Sequence, residues 1–161
     1  SAASNDGASH HAADEYAGSM MEFVPFIAEH LHTLEAQPAQ SRMSAAISPE
    51  LAVMLEKQSS FTALDEGRPV GAAGVLTDKG THRGMAWAFL SVMPARKFIL
   101  VHRAVKSYLD GCYIPRLEMT VECDFEAGHR WAKLLGFTLE AERMRAWTAD
   151  LVDVSLYARI K

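Results

Sequence analysis

Residues 85–92 read Met-Ala-Trp-Ala-Phe-Leu-Ser-Val, and Pro94 closes the run. Nearly every side chain is apolar, and apolar and polar positions do not alternate. A strand with one wet face alternates; a strand covered on both faces does not. The uninterrupted apolar part, residues 85–90, is far short of the roughly 20 residues that cross a bilayer. The run therefore specifies a central strand between two layers, and a layered α/β domain follows from it.

The flanking segments supply the layers. Residues 23–26 predict a short strand. Residues 27–35 suit a helix with Ile27, Leu31 and Leu34 at helical spacing, which Gln37-Pro38 should interrupt. Ser48 is a helix N-cap with Pro49 at the first position and Leu51, Met54 and Leu55 as the buried face. Residues 60–64 and 70–76 form a hairpin through the turn chemistry of residues 65–69. After Pro94 a helix carries Phe98, Val101, Val105, Tyr108 and Leu109 on one face. Leu117, Met119, Val121 and Cys123 alternate with Glu118, Thr120, Glu122 and Asp124, giving a strand with one apolar and one polar face. Residues 125–135 return to helical period, and Gly136 stands where a left-handed C-terminal cap is wanted. Two strands, residues 138–147 and 152–160, complete an order of strand, two helices, three strands, helix, strand, helix, two strands.

Composition narrows the function classes. The 161 residues allow one domain, and two cysteines cannot build a disulfide framework or a four-cysteine zinc site. Sixteen basic against twenty acidic residues leave a net charge of −4, so no overall basic field points to nucleic acid. His30 and His32 point different ways on a helix, and no metal site is expected. Residues 1–19 are rich in Ala, Ser, Gly and Asp and are expected to be a flexible arm, either native or added ahead of a start at Met20 or Met21. Residues 20–161 are the expected folded domain.

This order of elements resembles the GNAT superfamily of acetyl-CoA-dependent N-acetyltransferases. The likeness is most specific over residues 117–137, LEMTVECDFEAGHRWAKLLGF, a strand followed by a helix ending in Leu135-Gly136-Phe137. It implies an α/β (α+β) fold with a mixed, mostly antiparallel sheet of six to seven strands and helices on both faces. It also implies acetyl-CoA as cofactor and an amine, on a small molecule or a protein, as acceptor. The blocks MAWAFLSVMPARKFILVHRAVKSYL and GHRWAKLLGF further resemble the small GNAT-like proteins of tailed phages, one branch of which is internal virion or assembly-related. That narrower likeness implies a host-cytoplasmic or virion-associated location and a virion or host protein as partner; neither membrane nor nucleic acid is expected.

Acyl transfer needs a pyrophosphate cradle, a slot for the pantetheine, a base and an acid. The superfamily builds the cradle from Arg/Gln-x-x-Gly-x-Gly/Ala, whereas this chain has Pro94-Ala95-Arg96-Lys97-Phe98-Ile99-Leu100, with no glycine. Arg96 and Lys97, at a helix start beside Phe98, either hold the pyrophosphate by charge or form a solvated or protein-binding basic pair. The resemblance assigns the backbone of Leu90, Ser91 and Val92 to the pantetheine amides. The usual acidic Tyr is replaced by Ala132, preceded by Trp131, which is expected in the core. Tyr108 and Tyr157 are the candidate substitutes. Glu122 and Asp124 are the candidate bases; the alternative for them is an exposed polar strand face. Two outcomes follow: a phage-type GNAT enzyme working by direct amine attack, with central-strand N–H groups polarising the carbonyl, or a non-enzymatic binding or virion-assembly module on the same fold.

Overall fold

The apolar run does lie at the middle of the sheet. The computed structural model describes residues 21–77 and 80–161, so the expected arm at 1–19 falls outside the described residues. In chain order the elements are β1 (Glu22–Pro25), α1 (His30–Thr33), α2 (Pro38–Ala45), α3 (Pro49–Lys57), β2 (Ser60–Asp65), β3 (Arg68–Thr77), β4 (Arg83–Leu90), α4 (Ala95–Asp110), β5 (Arg116–Glu122), α5 (Glu126–Leu134), β6 (Thr138–Met144) and β7 (Val154–Ile160). They build one seven-stranded sheet of order β1-β2-β3-β4-β5-β7-β6. Every neighbouring pair is antiparallel except β4 and β5. Mixed, mostly antiparallel and seven-stranded, the sheet matches the expected fold class.

Alternation along the strands divides the core between the two faces. Ala73, Val75, Leu90, Leu117 and Val121 pack with Val101, Val105 and Leu109 of α4 and with Ala132 and Leu135 at α5. Ala72 and Phe89 pack on the other face with Phe26, Leu34 and Leu55, joined by Leu51, Trp87 and Ile47. The helix α5 sits close on β5 because Gly128 carries no side chain: a Cβ there would meet the Val121 Cγ1 at 2.8 Å and the Phe125 ring at 2.6 Å. Its end is the expected left-handed cap. Gly136 has φ +89°, its N–H donates to the Lys133 carbonyl, and the Phe137 N–H reaches back to the Ala132 carbonyl at 3.0 Å. These two hydrogen bonds fold the Phe137 side chain under the last turn, where it is buried.

Three sequence expectations are corrected. Three helices, not two, follow β1. The unexpected one, α2, buries none of its residues, so it carries no apolar periodicity to read. The first helix shrinks to four residues, and Ile27 precedes it, exposed. In α3 the Ser48 hydroxyl does cap the Leu51 N–H at 3.1 Å, but Met54 is half exposed and Ala52 takes its place inward with Leu55.

Candidate active site

The strands β4 and β5 part company early. Their parallel pairing covers only Arg83↔Arg116, Gly84↔Leu117 and Met85↔Glu118. Beyond it β4 stays on β3 and β5 stays on β7, so a gap opens through the sheet. The Ser91 N–H donates to the Val70 carbonyl of β3. Antiparallel alternation then turns the N–H and C=O groups of Ala86, Ala88 and Leu90 toward the gap. This explains why the middle of an apolar central strand is only half buried: residues 86–88 line a cavity instead of meeting a neighbouring strand on that side.

The cavity has a volume of about 220 Å³ and passes from one face of the sheet to the other. Toward α4 and α5 it is walled by Val105, Leu109, Val121, Trp131, Leu135 and Phe137, all apolar. On the α2 side its walls are Gln40, Met43, Trp87, Thr120 and Glu122. The indole Nε1 of Trp87 is buried and has no hydrogen-bond partner among the described residues.

Each rim is closed differently. Between α4 and α5, the Phe98 and Trp131 rings meet edge-on at 5.7 Å, and the Trp131 Nε1 donates to the His102 Nδ1 at 3.1 Å. On the opposite face the Gln40 carboxamide bridges the open edge of β4. Its Nε2 donates to the Ala88 carbonyl and its Oε1 accepts from the Leu90 N–H, both at 2.9 Å. The Gln37 N–H donates to the Leu90 carbonyl at 2.7 Å. Arg42, two residues further along α2, pairs with Glu122 of β5 and with Asp150 of the β6–β7 loop.

The candidate residues scatter around this gap. Glu122 lines it, held by Arg42. Asp124 lies past the end of β5 on an exposed turn and does not line it. Tyr157 is fully buried on β7 and does not line it either. Its hydroxyl sits 2.7 Å from the His129 Nδ1, whose Nε2 lies 3.0 Å from the Cys123 carbonyl. A carbonyl only accepts, so Nε2 carries the proton and Nδ1 accepts from the phenol. Burial pushes that phenol above its ordinary range, the wrong direction for an acid. Tyr108 lines the cavity, but its hydroxyl donates to Ser59 at 2.7 Å. Cys123, expected on the apolar face of the strand, sits in the turn after it, half buried.

The residues expected to meet the cofactor are placed as follows. Both backbone groups of Leu90 are taken by Gln37 and Gln40, and the Ser91 N–H by Val70. Val92 lies beyond the strand and is exposed. Lys97 is half buried in an ion pair with Asp65. Arg96 is exposed at the start of α4 with no ion-pair partner among the described residues. Phe98 packs on Trp131. Among the central-strand N–H groups it is that of Ala88 that faces the gap with no strand beside it, and no sequence signal marks Gln40 or Arg42. Polar residues on an unpatterned helix give no signal of what they reach.

A seven-stranded sheet that parts between its parallel strands, with α1–α3 on one face and α4–α5 on the other, is the fold of the GNAT acetyltransferases. No protein-family model matches the sequence, and no curated relative is found by sequence similarity. The solved structures similar to it share the fold at low identity. An acetyltransferase of the GNAT family from Streptococcus pneumoniae superposes with a TM-score of 0.65 at 14% identity, covering 88% of this chain and 100% of that one. Ard1 from Thermoplasma volcanium gives 0.67 at 16%, covering 87% and 97%. The ribosomal-protein-S5-alanine acetyltransferase from Vibrio fischeri gives 0.62 at 18%, covering 87% and 92%.

Proposed function

We propose that the chain binds an acyl thioester of coenzyme A in the β4–β5 gap and transfers the acyl group to an amine by direct attack. The observation that carries this reading is the gap itself. It leaves the Ala88 N–H aimed into a cavity with no strand opposite it. When bound, acyl-CoA supplies the activated carbonyl. The Ala88 N–H is the donor for that carbonyl oxygen and stabilises the charge that develops there. The apolar walls toward α4 and α5 exclude water from it. The amine arrives on the α2 face, where Glu122 stands at the cavity wall. Glu122 can take the amine proton, directly or through water, on the carboxylate oxygen that Arg42 does not hold. Arg96 is the one cation of the expected cradle free to meet a phosphate.

Among the described residues no lining side chain offers a free acidic proton to the leaving thiolate, since Tyr108 is bound to Ser59 and Tyr157 lies elsewhere. Transfer is therefore expected to be slow, by the roughly 10²–10⁴-fold that a general acid contributes. A second reading has its own observation. The Gln40 amide already occupies the β4 edge, and Phe98 already meets Trp131 across the other rim, as in a protein that keeps the fold for binding. A virion or host protein is the partner proposed for that reading, on the likeness to phage proteins. Isothermal titration with acetyl-CoA and with CoA separates the two. Binding that weakens more in Arg96→Ala than in Lys97→Ala supports the first. No heat at millimolar ligand would leave only the second.

A further inference from the structure

The cavity extends well below the level at which a thioester carbonyl would meet Ala88. Val105, Leu109, Val121, Leu135 and Phe137 all line it, and each is no more than 5% exposed. Val105 and Leu109 stand nine and thirteen residues past Arg96, about 14 and 20 Å along α4 at 1.5 Å per residue. The deep part thus lies far from the helix start where a phosphate would sit. Its walls present no hydrogen-bonding side chain except Tyr108, which is engaged with Ser59. A stable internal water needs two to four polar partners, and away from the backbone groups of Ala86 and Ala88 at the β4 edge these walls offer it none.

Resting on the acyl-thioester reading above, we infer that the cavity takes an unbranched apolar acyl chain of roughly six carbons, presented as the acyl group of the thioester, in preference to acetyl. The size follows from proportion. An apolar cavity of about 150 Å³ holds the six carbons of benzene. About 220 Å³ then holds roughly nine heavy atoms. A thioester carbonyl and its sulfur use about three of these at the level of the sheet, and part of the volume lies on the α2 side by Gln40 and Glu122, so roughly five chain carbons beyond the carbonyl are the most the apolar side takes. The chain then runs between Val105 and Val121 toward Leu109 and Phe137. Each methylene moved from water into such a wall contributes about fourfold in affinity.

The test titrates the full chain with free CoA and with acetyl-, butyryl-, hexanoyl- and octanoyl-CoA, followed by calorimetry. Affinity is expected to rise from acetyl to hexanoyl by at least tenfold and to level off or fall at octanoyl. Val105→Phe and, independently, Ala73→Leu fill the cavity from α4 and from β3. Either variant that retains a cooperative thermal transition is expected to flatten the rise. Equal affinity for all four acyl-CoAs overturns the inference and leaves the thioester reading intact. If neither CoA nor any acyl-CoA binds, the thioester reading fails. The apolar site is then read with hexan-1-ol alone. A raised thermal midpoint in the wild type but not in Val105→Phe sustains a chain-binding cavity; no shift removes it.

Discussion

The two faces of the β4–β5 gap are closed by different physics. On the α4–α5 face the seal is burial: Val105, Leu109, Leu135 and Phe137 are removed from water, and the Phe98–Trp131 contact spans the rim. On the α2 face the seal is a handful of polar ties from a helix that buries nothing. Gln37 and Gln40 hold β4, and Arg42 holds Glu122 and Asp150. Burial of one large apolar side chain contributes about 1.5–3 kcal/mol. A hydrogen bond exchanged with water contributes about 0.5–1.5 kcal/mol, and an exposed ion pair less. The α2 face is therefore the one that can open without unfolding the domain, and traffic into the gap should pass there first.

The largest expected effect breaks the apolar seal. Phe137 is 4% exposed and is pinned beneath α5 by the cap at Gly136. Phe137→Ala removes a ring from a wall shared by the core and the cavity. It is expected to lower the unfolding free energy by about 3–5 kcal/mol, measured by urea denaturation. A loss below about 1 kcal/mol would mean that this face is not held by burial, and the contrast between the faces would collapse.

Much of the apolar face was legible in the sequence, because burial leaves a period. The face of α4 reads through Val101, Val105 and Leu109, β5 through its alternation, and the end of α5 through Leu135-Gly136-Phe137. The polar face was not. Nothing in Pro-Ala-Gln-Ser-Arg-Met predicts a helix whose Gln40 reaches a strand 48 residues away. The run at 85–92 predicts cover on both faces, and the two cores do reach it through Leu90 and Phe89, but a gap beside the strand's edge leaves no mark in the pattern. Tyr157 alternates correctly along β7, yet alternation could not tell that its hydroxyl faces His129 and not the cavity. The period locates a side chain on a face. It does not say whether the neighbour on that face is protein or space.

A smaller effect tests the polar seal. Gln40→Ala is expected to cost about 1 kcal/mol or less, because solvent can replace the lost bonds at a half-exposed edge. The sharper readout is amide hydrogen exchange. The Leu90 N–H, bonded to the Gln40 Oε1 at 2.9 Å, should exchange faster in the variant. The Ser91 N–H, bonded to Val70 across β3, should not change. If both amides accelerate together, Gln40 supports the whole strand and is not a removable tie. If neither does, the α2 face is held by something other than this side chain.

The smallest expected effect lies at the far rim of the apolar face, where a polar tie does occur. Asp110 ends α4 and accepts from Arg159 of β7 and from Lys106. The Arg159 bond, and then Lys106, hold its carboxyl down to about 2. In the unfolded chain an aspartate titrates near ~3.9. The folded state thus binds fewer protons than the unfolded state across this interval, so stability rises with pH there. The contribution is complete above about pH 4–5 and fades as pH falls through about 2. The wild type should therefore have the higher thermal midpoint over Asp110→Asn at pH 5, with the difference closing as pH approaches 2. Because the group is exposed, the difference should stay well below that of Phe137→Ala. A gap between the two proteins that is constant over this range would show that the carboxylate charge does not matter there. A gap that rivals Phe137→Ala would show that the apolar face is also held by its polar rim, and the two faces would then differ in degree and not in kind.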